Sequence, residues 1–271
     1  MTREPIRSEL LPVLVLAGRR GGPDDLAAAA GATHRALLDI HGVPMLERVI
    51  GVLRTVPSLG RIYLSIDRPD LVEAASELAP LLASGDLVLL PAEPSPSRSV
   101  AAGVAAAGTP VFVTTADHAL LTREIAEHFL RRAKESGADL AFGLVPATVV
   151  RARFPASRRT YVPFREDGYS GANLFLFRTP ASGRAAEFWV RAERFRKHPW
   201  RLARAFGLGA LVLFLARRLS LADAMVRASR RIGARIAAVP LPFAEAAVDV
   251  DRIGDLELVR ELLAPEAATH G

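Results

Sequence analysis

Cysteine is absent from the chain, and no continuous apolar stretch reaches the roughly 18 residues of a membrane-spanning helix. The missing cysteines exclude disulfide bonds, cysteine-ligated zinc and a cysteine nucleophile, and they fit a reducing compartment. Near the N-terminus, Pro5 and the acidic Glu9 argue against an export signal. We therefore expect a cytoplasmic protein.

Internal repeats and long linkers are also missing from the 271 residues. Because 50% of the residues are hydrophobic, the chain can bury a sizeable core. These features predict one domain over 1–271, with a basic helical insertion at about 183–234.

Short apolar runs bounded by turn residues alternate with helical patterns along the chain. The alternation predicts βαβ units in a mostly parallel sheet that is covered by helices on both faces. The predicted helices are 44–53, 69–82, 97–107, 121–136 and 221–232. The predicted strands are 11–18, 61–67, 87–92, 110–117, 138–145, 171–178 and 235–242.

Carboxylates follow two apolar segments of this predicted sheet. Asp117 ends the run PVFVTTAD, and Asp249 and Asp251 lie in AVDVDRIGDL near the end of the chain. Ligands gather at the carboxyl ends of parallel strands, and carboxylate oxygens suit Mg²⁺. Each aspartate taken separately is better explained as a turn residue than as a ligand.

The loop after the first strand, LAGRRGG (16–22), is rich in glycine and arginine. Glycines allow the backbone to approach a phosphate closely, although an ordinary turn accounts for them as well. The loop matches neither the dinucleotide-binding pattern GxGxxG nor the P-loop ending GK[ST]. Arg35 adds a cation that could clamp a phosphate or lie in solvent. Ser99, in SPSRSVAAG, either caps a helix or faces a ligand.

Taken in order, LAGRRGG, RALLDIHGVPML, SPSRSVAAG, TTADHALLT and DVDRIGDL resemble the MobA-like nucleotidyltransferases over about the first 150 residues and the last 30. The resemblance implies a Rossmann-like, three-layer α/β/α sandwich with a mostly parallel mixed sheet, as in nucleotide-diphospho-sugar transferases. It also implies transfer of NMP from an NTP to an acceptor, with Mg²⁺ as cofactor and release of pyrophosphate.

The resemblance also assigns roles to individual residues. It implies that Arg19, Arg35 and Asp117 act in catalysis, that Ser99 lies by the base and ribose, and that Asp117 holds the metal with Asp249 or, preferably, Asp251. The triphosphate would lie on the loop residues Leu16, Ala17, Gly18, Arg19, Gly21 and Gly22 and on Arg35. Two features depart from the family pattern: arginine replaces the usual lysine at 35, and seventeen positions separate Gly18 from Arg35.

The segment 153–178 is where we expect an acceptor to bind. Arg158, Arg159 and Arg165 could meet an anionic group, and Asn173 is placed at the start of a strand. Solvated loop arginines and a turn asparagine remain the alternative.

Positive charge is concentrated between Arg191 and Arg235, where twelve basic residues face two acids. One interpretation is a helical pair on the sheet whose arginines are solvated or grip the acceptor. The other is a peripheral contact with an anionic membrane through 195–235, at its inner face. Few aromatic residues interrupt the segment, so we expect no nucleic-acid partner.

Three functions compete on these grounds. The first is a nucleotidyltransferase acting on a phosphorylated small molecule or a lipid-linked precursor. The second is a glycosyltransferase of related fold that uses a sugar nucleotide. The third is a nucleotide-binding protein without turnover. The early phosphate-binding loop and Arg35 favour the first.

Overall fold

The structure is a computed structural model that describes residues 10–19, 24–156, 159–193 and 208–265. Gly21, Gly22 and Arg158, which the sequence placed in the site, lie outside the described residues. None of the helices in the described ranges is long and apolar enough to cross a membrane.

The main sheet has the strand order β10-β7-β9-β6-β1-β4-β5, with β8 paired to β9, and a separate two-stranded sheet joins β2 and β3. In the described residues, the strands are β1 (Leu11–Leu16), β2 (Asp39–Ile40), β3 (Val43–Pro44), β4 (Leu59–Ile66), β5 (Leu87–Pro91), β6 (Val111–Thr115), β7 (Leu140–Pro146), β8 (Val162–Pro163), β9 (Gly168–Phe177) and β10 (Ile236–Pro240). The pairs along the main sheet are parallel, except those that β9 makes with β6, β7 and β8. The predicted mixed, mostly parallel sheet is therefore confirmed.

The α-helices of the described residues are α1 (Asp25–Ala29), α2 (Met45–Thr55), α3 (Pro69–Glu73), α4 (Ala79–Ser84), α5 (Pro96–Ala107), α6 (Arg123–Glu135), α7 (Ala147–Arg153), α8 (Gly183–Glu193), α9 (Leu208–Leu215), α10 (Leu221–Ile232) and α11 (Ile253–Leu262). The single helix predicted over 69–82 is wrong, because the chain forms α3 and α4 there. Pro80 lies in the first turn of α4, where its missing N–H is harmless, whereas it could not continue a helix arriving from α3.

Alternate residues of the central strand β1 enter two separate cores. Val13 and Val15 pack in the core that contains helices α2, α6 and α11. Leu14 packs in the other core, with Val100 and Val104 of α5. Because neighbouring side chains of a strand point to opposite faces, these two cores confirm the three-layer sandwich.

The basic insertion is partly integral to this architecture. Ala185 and Ala186 of α8 are buried in the α5 core. Helices α9 and α10 follow, and α10 begins where the Ser220 hydroxyl accepts a hydrogen bond from the backbone N–H of Asp223 at 3.0 Å. The α10 bounds agree with the helix predicted over 221–232.

The parallel strands β6, β1 and β4 lie side by side and end at the same edge of the sheet. Asp117, Gly18 and Asp67 each follow one of these strands by one or two residues. This edge therefore collects the loops from which the candidate site is built.

Candidate active site

Asp117 is fixed at the carboxyl end of β6 by the last segment of the fold. The backbone N–H of Val250 donates to the Asp117 carbonyl oxygen at 3.0 Å, which brings the loop carrying Asp249 and Asp251 to this strand end. The Asp117 side chain is buried, and its Oδ1 has no hydrogen-bond partner within the described part of the chain. An unpartnered buried carboxylate oxygen is costly unless a ligand completes it.

The surroundings of Asp117 disfavour its charge. Burial raises the pKa of Asp117 to about 6 against the lowering effect of the Thr115 hydroxyl beside it; the neighbouring charges of Asp249 and Asp251 also raise it, while Arg35 lowers it. Three carboxylates and one guanidinium group therefore share a single electrostatic environment. A cation bound here would stabilise the ionised form of Asp117.

Arg35 lies in a short 3₁₀ turn, Arg35–Leu37, and its guanidinium group is placed between two acids. Its Nε donates to Asp24 Oδ2 at 3.3 Å, and its Nη1 lies 3.6 Å from Asp251 Oδ1. The side chain is 30% exposed, so it can still be reached from solvent. The resemblance placed Arg35 at the phosphate-binding position, and the structure places it beside the carboxylate that we preferred for the metal.

Asp24 was missed by the sequence analysis, although it orients Arg35. Its carboxylate is 5% exposed, accepts from the backbone N–H of Ala27 at the start of α1, and accepts from both the backbone N–H and the side chain of Arg35. Burial raises the pKa of Asp24, but the hydrogen bonds from Arg35 and Ala27 outweigh it and leave the pKa below its usual range.

The described part of the loop after β1 contains Leu16, Ala17, Gly18 and Arg19, and it runs close to the neighbouring loop after β5. A Cβ added at Gly18 would lie 2.6 Å from the Cβ of Ala92, so this position excludes larger residues. Arg19 turns away along the sheet edge, where its Nε donates to Asp67 Oδ2 at 2.8 Å and its backbone N–H donates to Oδ1 at 3.1 Å.

Asp67 and His34 form a hydrogen-bonded pair that holds Arg19, and the sequence analysis did not predict it. His34 is fully buried, and its Nδ1 accepts from the backbone N–H of Ala36 at 3.1 Å. The proton must therefore lie on Nε2, which donates to Asp67 Oδ1 at 3.0 Å. Burial raises the pKa of Asp67, but the hydrogen bonds from Arg19 and His34 hold it well below its usual range. The signal was available, because Asp67 ends RIYLSID in the same way that Asp117 ends PVFVTTAD.

Ser99 lies inside α5 rather than at an open helix end. It is 6% exposed, and its hydroxyl accepts from the backbone N–H of Glu93 at 2.9 Å. This bond fixes the loop after β5, the same loop that faces Gly18. Through this hydrogen bond, Ser99 therefore positions the loop after β5 against which the glycine-rich loop packs.

Arg159, predicted to bind the acceptor, is engaged with acids of the C-terminal segment. Its guanidinium group pairs with Asp249 and, at 3.2 Å, with Asp255 Oδ1. The side chain is 12% exposed, and its Nε has no partner among the described residues. Asp249 is thus paired with Arg159, as Asp251 is with Arg35.

The other two acceptor candidates in the described residues lie just before β9 and within it. Arg165 pairs with Glu166 at 3.1 Å, and its backbone N–H donates to Leu219 near the basic helices. Asn173 lies within β9 rather than at its start, because the strand already begins at Gly168. Its left-handed backbone, with φ of 51°, coincides with an irregular β7–β9 register, and asparagine tolerates that conformation better than most residues.

His118, directly after Asp117, is a further buried group that the sequence analysis left unassigned. It is 1% exposed, and neither ring nitrogen has a partner within the described ranges. Burial lowers the pKa of His118 to about 4, with Asp249 raising it and Arg159 lowering it. The imidazole is therefore neutral beside Asp117 at physiological pH.

The donors around Asp117 fit a magnesium ion that is shared with a substrate. The described residues contain no group of three or more His, Cys, Asp or Glu residues arranged to hold a metal by themselves. Mg²⁺ is commonly bound by one or two carboxylates, with substrate phosphates and water as the remaining ligands. The unpartnered oxygen of Asp117 and the nearby carboxylate of Asp251 meet that requirement.

Comparison with known proteins shows the family to which the chain belongs. The family model of the MobA-like NTP transferase domain matches residues 13–149. A solved structure described as a hypothetical transferase from Thermus thermophilus is 32% identical, with a TM-score of 0.76, and the alignment covers 91% of this chain and 99% of that one. No curated protein matches the chain.

Two more distant structures share the fold. One is 4-diphosphocytidyl-2C-methyl-D-erythritol synthase from Anaerococcus prevotii, with 10% identity, a TM-score of 0.58, and coverage of 95% of this chain and 97% of that one. The other is CMP:2-keto-3-deoxy-manno-octonic acid synthetase complexed with CTP, with 16% identity, a TM-score of 0.54, and coverage of 95% and 100%. The fold is that of the nucleotide-diphospho-sugar transferases. This chain belongs to the family of MobA-like NTP transferase domains and is a transferase of the nucleotidyltransferase class.

Proposed function

We propose that the protein transfers NMP from an NTP to an anionic acceptor, releases pyrophosphate and uses Mg²⁺. The acceptor is a phosphorylated small molecule or a lipid-linked precursor. The observation that carries the proposal is the buried Asp117 carboxylate, whose Oδ1 has no partner in the described chain while Asp251 and Arg35 lie close enough to change its pKa. A metal-bridged triphosphate would supply the missing partner.

The nucleotide would lie on the loop after β1. Gly18 brings the backbone close to the opposite loop, and Arg19 and Arg35 supply guanidinium groups at the same sheet edge. A guanidinium group is a fork of donors that suits phosphate oxygens. The solved synthetase that contains CTP supports a triphosphate ligand for this fold, and the base selected by this chain is open to a panel of all four NTPs.

Asp117 and Asp251 would hold the magnesium ion, with Asp249, which pairs with Arg159, as the alternative candidate. When bound, Mg²⁺ would offset the negative charge that develops on the phosphates during transfer. The protein's own residues would then contribute by orienting the nucleotide and the acceptor.

In the transfer itself, an acceptor oxygen attacks the α-phosphorus in line. The bond from the α-phosphorus to the bridging oxygen breaks, and pyrophosphate leaves with the bond's electron pair. Arg19 and Arg35 would orient the phosphates and stabilise the leaving group, since Asp67 and Asp24 already fix the directions of the two side chains. Covalent help from the protein is not required.

The acceptor would approach from the side of Arg159. A cavity of about 520 Å³ lies between the end of α7 and α11, and its lining includes the basic Arg153, Arg159 and Arg252, the acidic Asp255 and Glu261, and the apolar Phe154 and Leu258. Arg159 links this cavity to Asp249. An anionic group in the cavity could compete for Arg159, while Arg158, Arg165 and Asn173 stay candidates for acceptor contacts.

The lipid-linked alternative for the acceptor goes with a peripheral membrane contact through 195–235, at the inner face of the membrane. The structure describes 208–235 of this segment. A small-molecule acceptor requires no such contact.

Scanning fluorimetry against ATP, GTP, CTP and UTP, with Mg²⁺ or with EDTA, tests the nucleotide half of the proposal. A ligand that binds the folded state raises the melting temperature by mass action. We expect a Mg²⁺-dependent rise with one NTP. Asp117→Asn should lose the rise, and Asp25→Asn, which alters an exposed aspartate on α1, should keep it.

Pyrophosphate release tests the transfer half. The selected NTP is incubated with pools of phosphorylated sugars and alcohols, and the pyrophosphate released is measured as the inorganic phosphate that added pyrophosphatase forms from it. Release that needs both NTP and an acceptor pool supports the proposal. A melting-temperature rise with sugar nucleotides alone would point instead to a glycosyltransferase, and no response to any nucleotide would overturn the proposal.

A further inference from the structure

The surface of helix α9 combines exposed apolar and basic side chains. Val212 is 64% exposed and Leu215 is 71% exposed, and these are the two highest values among the large exposed hydrophobic side chains of the described residues. Three positions apart, they share one face of the helix. Arg217 and Arg218 lie two and three residues beyond Leu215, just after the helix, and are exposed. We call Val212, Leu215, Arg217 and Arg218 the α9 patch.

The helix end gives the patch a defined shape. Arg217 has a left-handed backbone, with φ of 55°, at a position after a helix where glycine is usual. Arginine there costs conformational free energy that glycine would avoid. Within the described residues, the guanidinium groups of Arg217 and Arg218 have no acidic partner that would explain this conformation. Both charges are available to an external anion.

The opposite side of α9 is anchored to the body of the protein. The Phe214 ring lies edge-on to Phe164, with centroids 6.3 Å apart, and Phe164 in turn packs against Tyr169. The backbone N–H of Arg165 donates to Leu219 at 2.9 Å. Because Phe164 and Arg165 precede β9, which is antiparallel to β7, they lie beyond the carboxyl end of β7. The patch therefore belongs to the same edge of the sheet as Asp117.

We propose that the α9 patch docks the protein on an anionic lipid bilayer, with Val212 and Leu215 in the headgroup region and the arginines on lipid phosphates. Apolar side chains next to basic ones on a short helix are typical of interfacial membrane contacts. The wider segment from Arg191 to Arg235 has a net charge of +10, which complements a negative surface. This inference does not depend on the transferase chemistry, but it would bring the candidate site close to a lipid-linked acceptor.

A second copy of the chain fits the patch less well. A symmetric dimer would place the arginines of one subunit against those of the other, which is unfavourable. Two exposed side chains also supply far less area than the about 800 Å² that each partner of a stable dimer usually buries.

Vesicle flotation tests the proposal on the full chain. The vesicles are phosphatidylcholine alone or phosphatidylcholine with about a third phosphatidylglycerol, at low and at high salt. We expect floating protein with the anionic vesicles at low salt, and binding at least about tenfold weaker to neutral vesicles or at high salt. Equal binding to both vesicle types, or none, would overturn the proposal.

Two double variants separate the contributions. Val212→Ser with Leu215→Ser, and Arg217→Gln with Arg218→Gln, should each lower binding by about tenfold or more. The matched controls are Val43→Ser, an exposed valine elsewhere, and Arg54→Gln with Arg61→Gln, two exposed arginines elsewhere. These controls should bind like the wild type.

Circular dichroism and the nucleotide-induced melting shift show whether each variant is folded and still binds its substrate. A variant that no longer binds vesicles but keeps the nucleotide-induced melting shift supports the proposal, whatever the outcome for the transferase activity. Patch variants that float like the wild type, or a wild-type dimer on size-exclusion chromatography that the patch variants abolish, would refute membrane docking.

Discussion

The guanidinium group of Arg35 bridges Asp24 and Asp251, at 3.3 Å from the first and 3.6 Å from the second. Arg35, the predicted phosphate ligand, and Asp251, the predicted metal ligand, therefore form an ion pair in this structure. Under the proposed function, a magnesium–triphosphate complex would replace this ion pair, because the metal would bind the Asp251 carboxylate and a phosphate would bind the Arg35 guanidinium group. Neither the metal alone nor the nucleotide alone would supply both replacements.

Asp251→Asn should uncouple the nucleotide from the metal. Without the carboxylate, Arg35 is released toward the phosphates, so we expect NTP affinity in EDTA to rise several-fold and the enhancement by Mg²⁺ to fall about tenfold, equivalent to about 1.4 kcal/mol. Isothermal titration of the selected NTP with Mg²⁺ or EDTA measures both, with Asp25→Asn as the control. An unchanged Mg²⁺ enhancement in Asp251→Asn would contradict the exchange.

Asp117→Asn should stabilise the protein without substrate while removing its activity. Because the pKa of Asp117 is raised to about 6 from 3.8, the folded state binds more protons than the unfolded state between these values. The free energy of unfolding therefore falls as pH rises through this window, by about 3 kcal/mol. Asparagine carries no charge, so urea denaturation in EDTA should show the variant more stable than the wild type above pH 6 and nearly equal to it near pH 4. A variant less stable than the wild type at pH 8 would show that the carboxylate has a structural role instead.

Asp67→Asn should weaken the anchor of Arg19 and His34, with the opposite pH dependence. The pKa of Asp67 is lowered in the folded state, so its stabilisation is present above the unfolded value of 3.8 and is lost as pH falls below it. We expect a loss of about 1–3 kcal/mol at pH 7, typical of hydrogen bonds to a charged group, that shrinks in acid. Urea denaturation over a pH series measures it. Asp70→Asn, which removes an exposed partner of Arg68, should change little, and a loss at pH 7 that persists undiminished in acid would argue against the charged pair.

Gly18→Ala should disturb the contact between the loops after β1 and β5. The added methyl group would meet the Cβ of Ala92 at 2.6 Å, so the loops must separate, at a cost of about 1–3 kcal/mol and with weaker NTP binding. Gly51→Ala is a matched control on helix α2, where nothing lies within 4 Å, and it should stabilise the helix by about 0.5–1 kcal/mol. Melting temperatures and NTP titrations of both variants give the comparison. Normal NTP affinity in Gly18→Ala would show that the loop spacing does not matter for binding.

The strands were predictable because each one carries its own pattern. An apolar run such as PVFVTTAD must be buried on both faces wherever it lies, so β6 and the acid at its end follow from local sequence. The same rule applies to RIYLSID and indicates Asp67 at its end. The split between α3 and α4 was missed because the apolar periodicity continues across Pro80.

The pairing of charges was not predictable in the same way. Arg159 and Asp249 are ninety residues apart, and Arg35 and Asp251 are further apart still. Each of these residues looks like a solvated surface charge in its own segment. The sequence therefore predicted Arg159 as an acceptor ligand but could not predict its ion pairs with two carboxylates of the C-terminal segment.

The sequence by itself determined which residues are apolar, where strands end and which charged groups follow them, because these properties depend on neighbours a few positions away. Tertiary structure alone decided that the loop around Val250 meets Asp117, that Asp24 turns Arg35 toward Asp251, and that Phe214 holds α9 with its apolar face outward. The physical reason is that an ion pair or a buried carboxylate acquires its energy from distance and desolvation, and both are set by chain segments that the sequence order keeps far apart.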